Sequence, residues 1–106
     1  MEPQRLASLE AARAEVDRLS LALLRLLNAR GRCALGIRRL KSDGGAPLRD
    51  PRREAQLIEW LVGHNDGPFD DATVRAVFRV IIDASVSLME RDAAAADPVI
   101  GPAPLR

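Results

Sequence analysis

From about Leu6 to Lys41 the chain has no proline and repeats an apolar position every seven residues. Leu9, Val16, Leu23 and Ile37 share one register, broken once by Arg30; Ala12, Leu19, Leu26, Cys33 and Leu40 follow three residues behind. This is a sustained a/d seam, the pattern of a helix that packs along another helix. At about 1.5 Å per residue such a helix runs about 50 Å. A compact domain of about 100 residues has a radius of gyration of about 13 Å. The rest of this 106-residue chain is too short to wrap so long a rod. A second copy is therefore expected along it, and an antiparallel or intertwined homodimer is the simplest symmetric arrangement.

Gly44, Gly45, Ala46 and Pro47 end the long helix. Asp50 then reads as an N-cap with Pro51 at the first helical position. Leu57, Ile58, Leu61 and Val62 give this second helix an apolar face, and it stops between Gly63 and Pro68. Asp70 or Asp71 caps a third helix. Its buried stripe is Val74, Val77, Phe78, Ile81, Ile82, Ser85, Leu88 and Met89, continuing to about Arg91. The expected fold is all-α, with three helices, one of them very long. Residues 1–92 form the helical domain, and 93–106, rich in alanine and proline, form a flexible C-terminal tail. Aromatic residues make up only 3% of the chain, so the core is built from Leu, Ile, Val and Ala.

Composition excludes several function classes. A net charge of +1 gives no global attraction to nucleic acid, and no apolar run approaches the length of a membrane span. Cys33 is alone, which excludes an intrachain disulfide and suits a reducing cytoplasm. The charged N-terminus lacks the apolar stretch of a signal peptide, so a cytoplasmic location is expected. One histidine, His64, and one cysteine make neither a metal cluster nor a nucleophile pair. No phosphate loop or dinucleotide fingerprint is present. No metal and no cofactor are expected.

The polar exceptions carry the chemistry. Fifteen of the sixteen basic side chains are arginine, and the single lysine is Lys41. Lysine is a flexible point charge, whereas arginine is a planar fork. Arg30 and Lys41, eleven residues apart, fall within about 20° of each other on the helix and about 16 Å apart along it. Two cations so placed can close on a small anion from both ends. Arg30 itself occupies an apolar seam position. It is either half of a register-fixing salt bridge, to Glu54 or Asp17, or a cation facing an anionic ligand inside the bundle. Ala34 and Ile37 lie between the two cations and would line the ligand's apolar side. Arg13 taken alone is an ordinary flank residue, but in an antiparallel dimer it would reach the Arg30–Lys41 region of the other chain. Ser85 either bonds back to its own helix or faces the site. Eight of the sixteen cations lie between Arg30 and Arg53, where solvated helix faces are the alternative explanation. A cationic pocket of this kind suits catalysis by holding an anion in shape and stabilising developing charge.

Arg13-x3-Asp17, Leu26-Leu27-x2-Arg30, Lys41, Asp50-x2-Arg53-Glu54 and Ile81-Ile82-x2-Ser85 together resemble the all-helical chorismate mutases of the AroQ type. The resemblance covers roughly residues 6–91 and implies an intertwined three-helix homodimer with two active sites. It implies the Claisen rearrangement of chorismate to prephenate, which feeds phenylalanine and tyrosine synthesis and needs no cofactor. By that resemblance Arg30, and Arg13 from the other chain, grip the two carboxylates. Lys41 donates to the ether oxygen, and Glu54, with the backbone near Asp50, takes the ring hydroxyl. Arg53 supports that loop, Ser85 touches a carboxylate or nearby water, and Ala34, Ile37, Ile82 and Val86 line the ring. One position departs from the pattern. Where relatives usually carry Gln, or sometimes Glu, as a second donor to the ether oxygen, this chain has Met89, whose thioether donates nothing.

Three alternatives stand beside this reading, the last resting on the arginine cluster rather than on Met89. The substrate is a relative of chorismate, either 4-amino-4-deoxychorismate or isochorismate; or the protein is a weakly active or non-catalytic mutase fold working through a shikimate-pathway partner enzyme, with the tail as docking segment; or, least in keeping with the charge, it is a helical dimer that binds nucleic acid.

Overall fold

The computed structural model describes residues 8–41 and 47–96. Within them lie three helices and no strand: α1 (Leu9–Lys41), α2 (Pro51–Gly63) and α3 (Asp71–Ala96). The all-α expectation holds among the described residues, and the expected long helix is present from Leu9 through Lys41. The expected start at Leu6 and the Gly44–Ala46 stop lie outside the described residues. The chain divides into two compact units, Met1–Cys33 and Ala34–Arg106, with the division falling within α1.

In the first unit the helix opens on Ser8, whose hydroxyl accepts from Ala11 N–H at 2.9 Å while its carbonyl accepts from Ala12 N–H at 3.0 Å. This satisfies donors that the first turn cannot pair internally. None of residues 8–33 is buried. The seam leucines stand open, with Leu23 and Leu26 each 68% exposed and Leu9 65%.

The second unit buries its own apolar residues. Glu54 meets Arg79 and Glu59 meets Arg75, so α2 and α3 run antiparallel. Ala34 clusters with Val86 and Met89, while Arg38 and Arg39 pair with Asp92, so the last turns of α1 run parallel to the end of α3. The buried apolar residues are Ala34, Ile58, Ile82, Val86 and Met89, and Leu48 packs against the Ala34–Val86–Met89 cluster. Burying each of the larger side chains contributes about 1.5–3 kcal/mol.

Asp70, rather than Asp71, caps α3: its carboxylate accepts from Thr73 N–H at 2.8 Å. Two details of α3 differ from expectation. It does not stop near Arg91 but continues to Ala96, because an alanine run is the strongest of helix formers. Val77, expected in the buried stripe, is 48% exposed; the buried face is Ile82, Val86 and Met89, spaced four and three residues apart.

Candidate active site

The start of α2 is a reciprocal cap. Asp50 Oδ1 accepts from Arg53 N–H at 3.1 Å, and Asp50 N–H donates to Glu54 Oε2 at 3.2 Å. Pro51 follows the cap, where its missing N–H costs nothing. The Arg53 bond in this cap is made by its backbone N–H, and the residue itself is exposed.

Glu54 is the buried charge of the molecule's described part, 9% exposed. Arg49 Nε donates to its Oε2 at 3.1 Å and Arg79 Nη1 to its Oε1 at 3.0 Å. Arg49 also pairs with Asp83 through Nη2, and Arg79 approaches the same Asp83 oxygen at 3.5 Å. Burial pushes the Glu54 carboxyl up, but the hydrogen bonds from Arg49, Arg79 and the Asp50 N–H outweigh it. The net effect lies below the ordinary value, so Glu54 is an ionised, acceptor-only group near neutral pH. The hydrogen bond from Arg49 holds Asp83 below its ordinary value as well.

Several expected site residues gather in this unit. Ala34, Val86 and Met89 pack together, and Ile82 is 4% exposed. Ile37 stands apart, 51% exposed. Lys41 Nζ donates to Pro47 O at 3.4 Å, at the weak end of hydrogen bonding, so the ammonium is lightly held. The Ser85 hydroxyl donates to Ile81 O at 2.9 Å, the back-bond that was one of its two sequence readings. Met89, at 8% exposure, is a core side chain here, consistent with a thioether that offers no donor. Arg13 and Arg30 belong to the first unit. Arg13 is exposed and borders an open depression with Leu9, Glu10, Ala14 and Asp17, whereas Arg30 is half-buried.

Sequence reasoning missed Arg49, Arg79 and Asp83. A signal was present: Arg79 interrupts the apolar run Val77, Phe78, Val80, Ile81, and a buried Glu54 requires a cationic partner. Among the described residues no group of three or more His, Cys, Asp or Glu side chains could hold a metal ion. No helix among them is long and apolar enough to cross a membrane.

The sequence model of the family described as chorismate mutase type II matches residues 12–90. The chain belongs to that family. Every expected site residue, from Arg13 to Met89, falls within the matched span. A solved chorismate mutase from Thermus thermophilus is 44% identical, with a TM-score of 0.76 over 78% of this chain and 94% of that one. A second form of it gives a TM-score of 0.71 at the same 44% identity, over 73% of this chain and 96% of the other. The bifunctional chorismate mutase/prephenate dehydratase of Pseudomonas aeruginosa is 35% identical over 85 residues, 76% of this chain. That of Aquifex aeolicus is 33% identical over 87 residues, 78% of this chain. The chain spans about a quarter of the length of these two curated relatives, 23% and 24%. The elements of the described residues are three helices, and this fold is shared with that solved chorismate mutase.

Proposed function

We propose that the protein is a chorismate mutase that rearranges chorismate to prephenate as a homodimer. The observation that carries this reading is the family match over 12–90, which takes in the whole set of cations and acceptors named from the sequence. The reaction is intramolecular and needs no general acid, nucleophile or metal. The enzyme's task is to hold the dicarboxylate in its compact chair-like form and to stabilise negative charge on the breaking ether oxygen.

Arg30 and the Arg13 of the other chain grip the carboxylates, and the lightly held Lys41 turns from Pro47 O to the ether oxygen and a carboxylate. Glu54 accepts the ring hydroxyl, while Ala34, Ile82 and Val86 supply the apolar wall. Ser85 keeps a secondary role, since its hydroxyl proton is already engaged with Ile81. With Met89 beside that wall, Lys41 is the principal donor to the ether oxygen.

The open seam of the first unit supports the dimer, because an exposed row of leucines of this length requires a cover. The Pseudomonas and Aquifex relatives join a mutase to a prephenate dehydratase in one chain, and a prephenate-consuming enzyme of the shikimate branch is the class of partner proposed for this one. A reducing cytoplasm is the proposed compartment, resting on the lone Cys33. The experiment is direct: purified protein is mixed with chorismate, its ultraviolet absorbance is followed, and the product is identified by chromatography. Catalysed conversion to prephenate is expected. A folded protein that leaves chorismate untouched contradicts the reading.

A further inference from the structure

The proposed mutase reading gives Glu54 one task, to accept the ring hydroxyl, and leaves unexplained why two arginines and an aspartate surround it. We propose that Arg49 and Arg79 are positioning residues: they fix the Glu54 carboxylate so that one lone pair of Oε1 is left for the substrate hydroxyl, with Asp83 tying the two guanidiniums together. The inference rests on the mutase reading for the identity of the hydroxyl donor, but not for the clamp itself.

An ionised carboxylate offers about four acceptor directions. Oε2 spends two, on Arg49 Nε at 3.1 Å and Asp50 N–H at 3.2 Å. Oε1 spends one, on Arg79 Nη1 at 3.0 Å. Arg49 comes from the segment before α2 and Arg79 from α3, so the carboxylate is held from two sides and cannot rotate without breaking a charge-assisted bond. Without the clamp, a side chain only 11% exposed would drift towards the neutral acid, whose O–H donates and whose oxygens accept more weakly than a carboxylate's. Asp83 balances the second arginine, leaving two guanidiniums against two carboxylates. The cluster is therefore near neutral and does not compete with Lys41 for the substrate's carboxylates.

The other charged groups nearby have partners of their own. Lys41 contacts Pro47 O, Arg38 and Arg39 pair with Asp92, and Arg75 pairs with Glu59; Arg52 and Arg53 are exposed on α2. The Arg75–Glu59 pair is an internal control. It joins the same two helices one turn away, by two bonds of 3.0 and 3.1 Å, but both its side chains are about half exposed, at 48% and 60%.

The test compares Arg79→Gln, Arg49→Gln, Arg79→Lys and Arg75→Gln in the full chain. The pH dependence of kcat/KM for chorismate is measured, and the Glu54 carboxyl is titrated by 13C NMR, which requires no turnover. Arg79→Gln is expected to lower kcat/KM about tenfold and to move both the acidic limb and the Glu54 titration up by about one pH unit. Arg49→Gln should move both in the same direction, Arg79→Lys should restore part of the loss, and Arg75→Gln should change neither. A rate loss uniform across pH with the Glu54 titration unmoved, or an equal effect of Arg75→Gln, would overturn the proposal. A wild-type protein inert towards chorismate defeats the mutase reading instead, and the titration then still decides whether the arginines hold Glu54 ionised.

Discussion

Residues 8–33 and residues 34–96 solve the folding problem in opposite ways. The first stretch is a single helix with no buried residue, and its leucines face outward. The second buries Ile58, Ile82, Val86 and Met89 within itself and pairs its buried charge, Glu54, with two arginines. Its carboxylates Glu54, Glu59, Asp70, Asp83 and Asp92 all titrate below their ordinary values. Under the proposed homodimer, the difference teaches that the second region's sequence is written for its own chain, while the first region's is written for a second one. In the proposed homodimer, Arg13 of the first region serves the partner's site.

The largest expected effect attacks the first region. Leu26→Glu puts a charge in the seam of both copies, each forfeiting about 1.5–3 kcal/mol of burial. Light scattering should show the mass halved and assays should show turnover lost; an active monomer would dissolve the contrast between the regions. Next comes the second region's lysine. Lys41→Ala should lower kcat by about 10²–10³-fold while the dimer mass is unchanged. Retained turnover would remove Lys41 from the mechanism.

Met89→Gln sharpens the account of the core. The amide supplies a donor that the thioether lacks, so the rate of chorismate loss should rise several-fold. Because Met89 is buried, an amide without bound substrate should also lower stability by about 1–3 kcal/mol, read as a lower Tm. A fall in Tm with no gain in rate would mean that the position is purely structural.

The smallest effect distinguishes the regions by pH. Each lowered carboxylate contributes stability that is complete above its unfolded value, 4.5 for glutamate and 3.8 for aspartate, and is lost as pH falls through its folded value. Thermal melts should therefore weaken progressively below about pH 4.5. Hydrogen exchange should show the α2–α3 region loosening first; equal loosening of residues 8–33 would argue against the division.

The fold was legible because its signals are periodic or local. The heptads of α1, the Asp50-Pro51 start of α2 and the recurrence of apolar residues in α3 each act within a few turns, and all three helices follow from them. The overrun of α3 to Ala96 was missed by giving weight to composition rather than to alanine's helix propensity. At the site, the Asp50–Glu54 cap lay within reach of spacing arguments. The Arg49–Glu54–Arg79–Asp83 cluster did not, because it joins residues 25 and 34 positions apart in the chain through packing that periodicity does not encode. The resemblance supplied the role of Glu54 and the carboxylate grip of Arg13, while only the reach of Arg13 to the other chain follows from an antiparallel seam.

The central claim, that a cation on one chain's first region completes a site on its partner, is tested most directly by complementation. Arg13→Ala and Lys41→Ala proteins, each inactive alone, are unfolded together, refolded as an equal mixture and assayed with chorismate. Mixed dimers then carry one intact site, and turnover should return to about a quarter of the wild-type level. Mixed dimers that form, as mass analysis of tagged chains would show, yet remain inactive would contradict it.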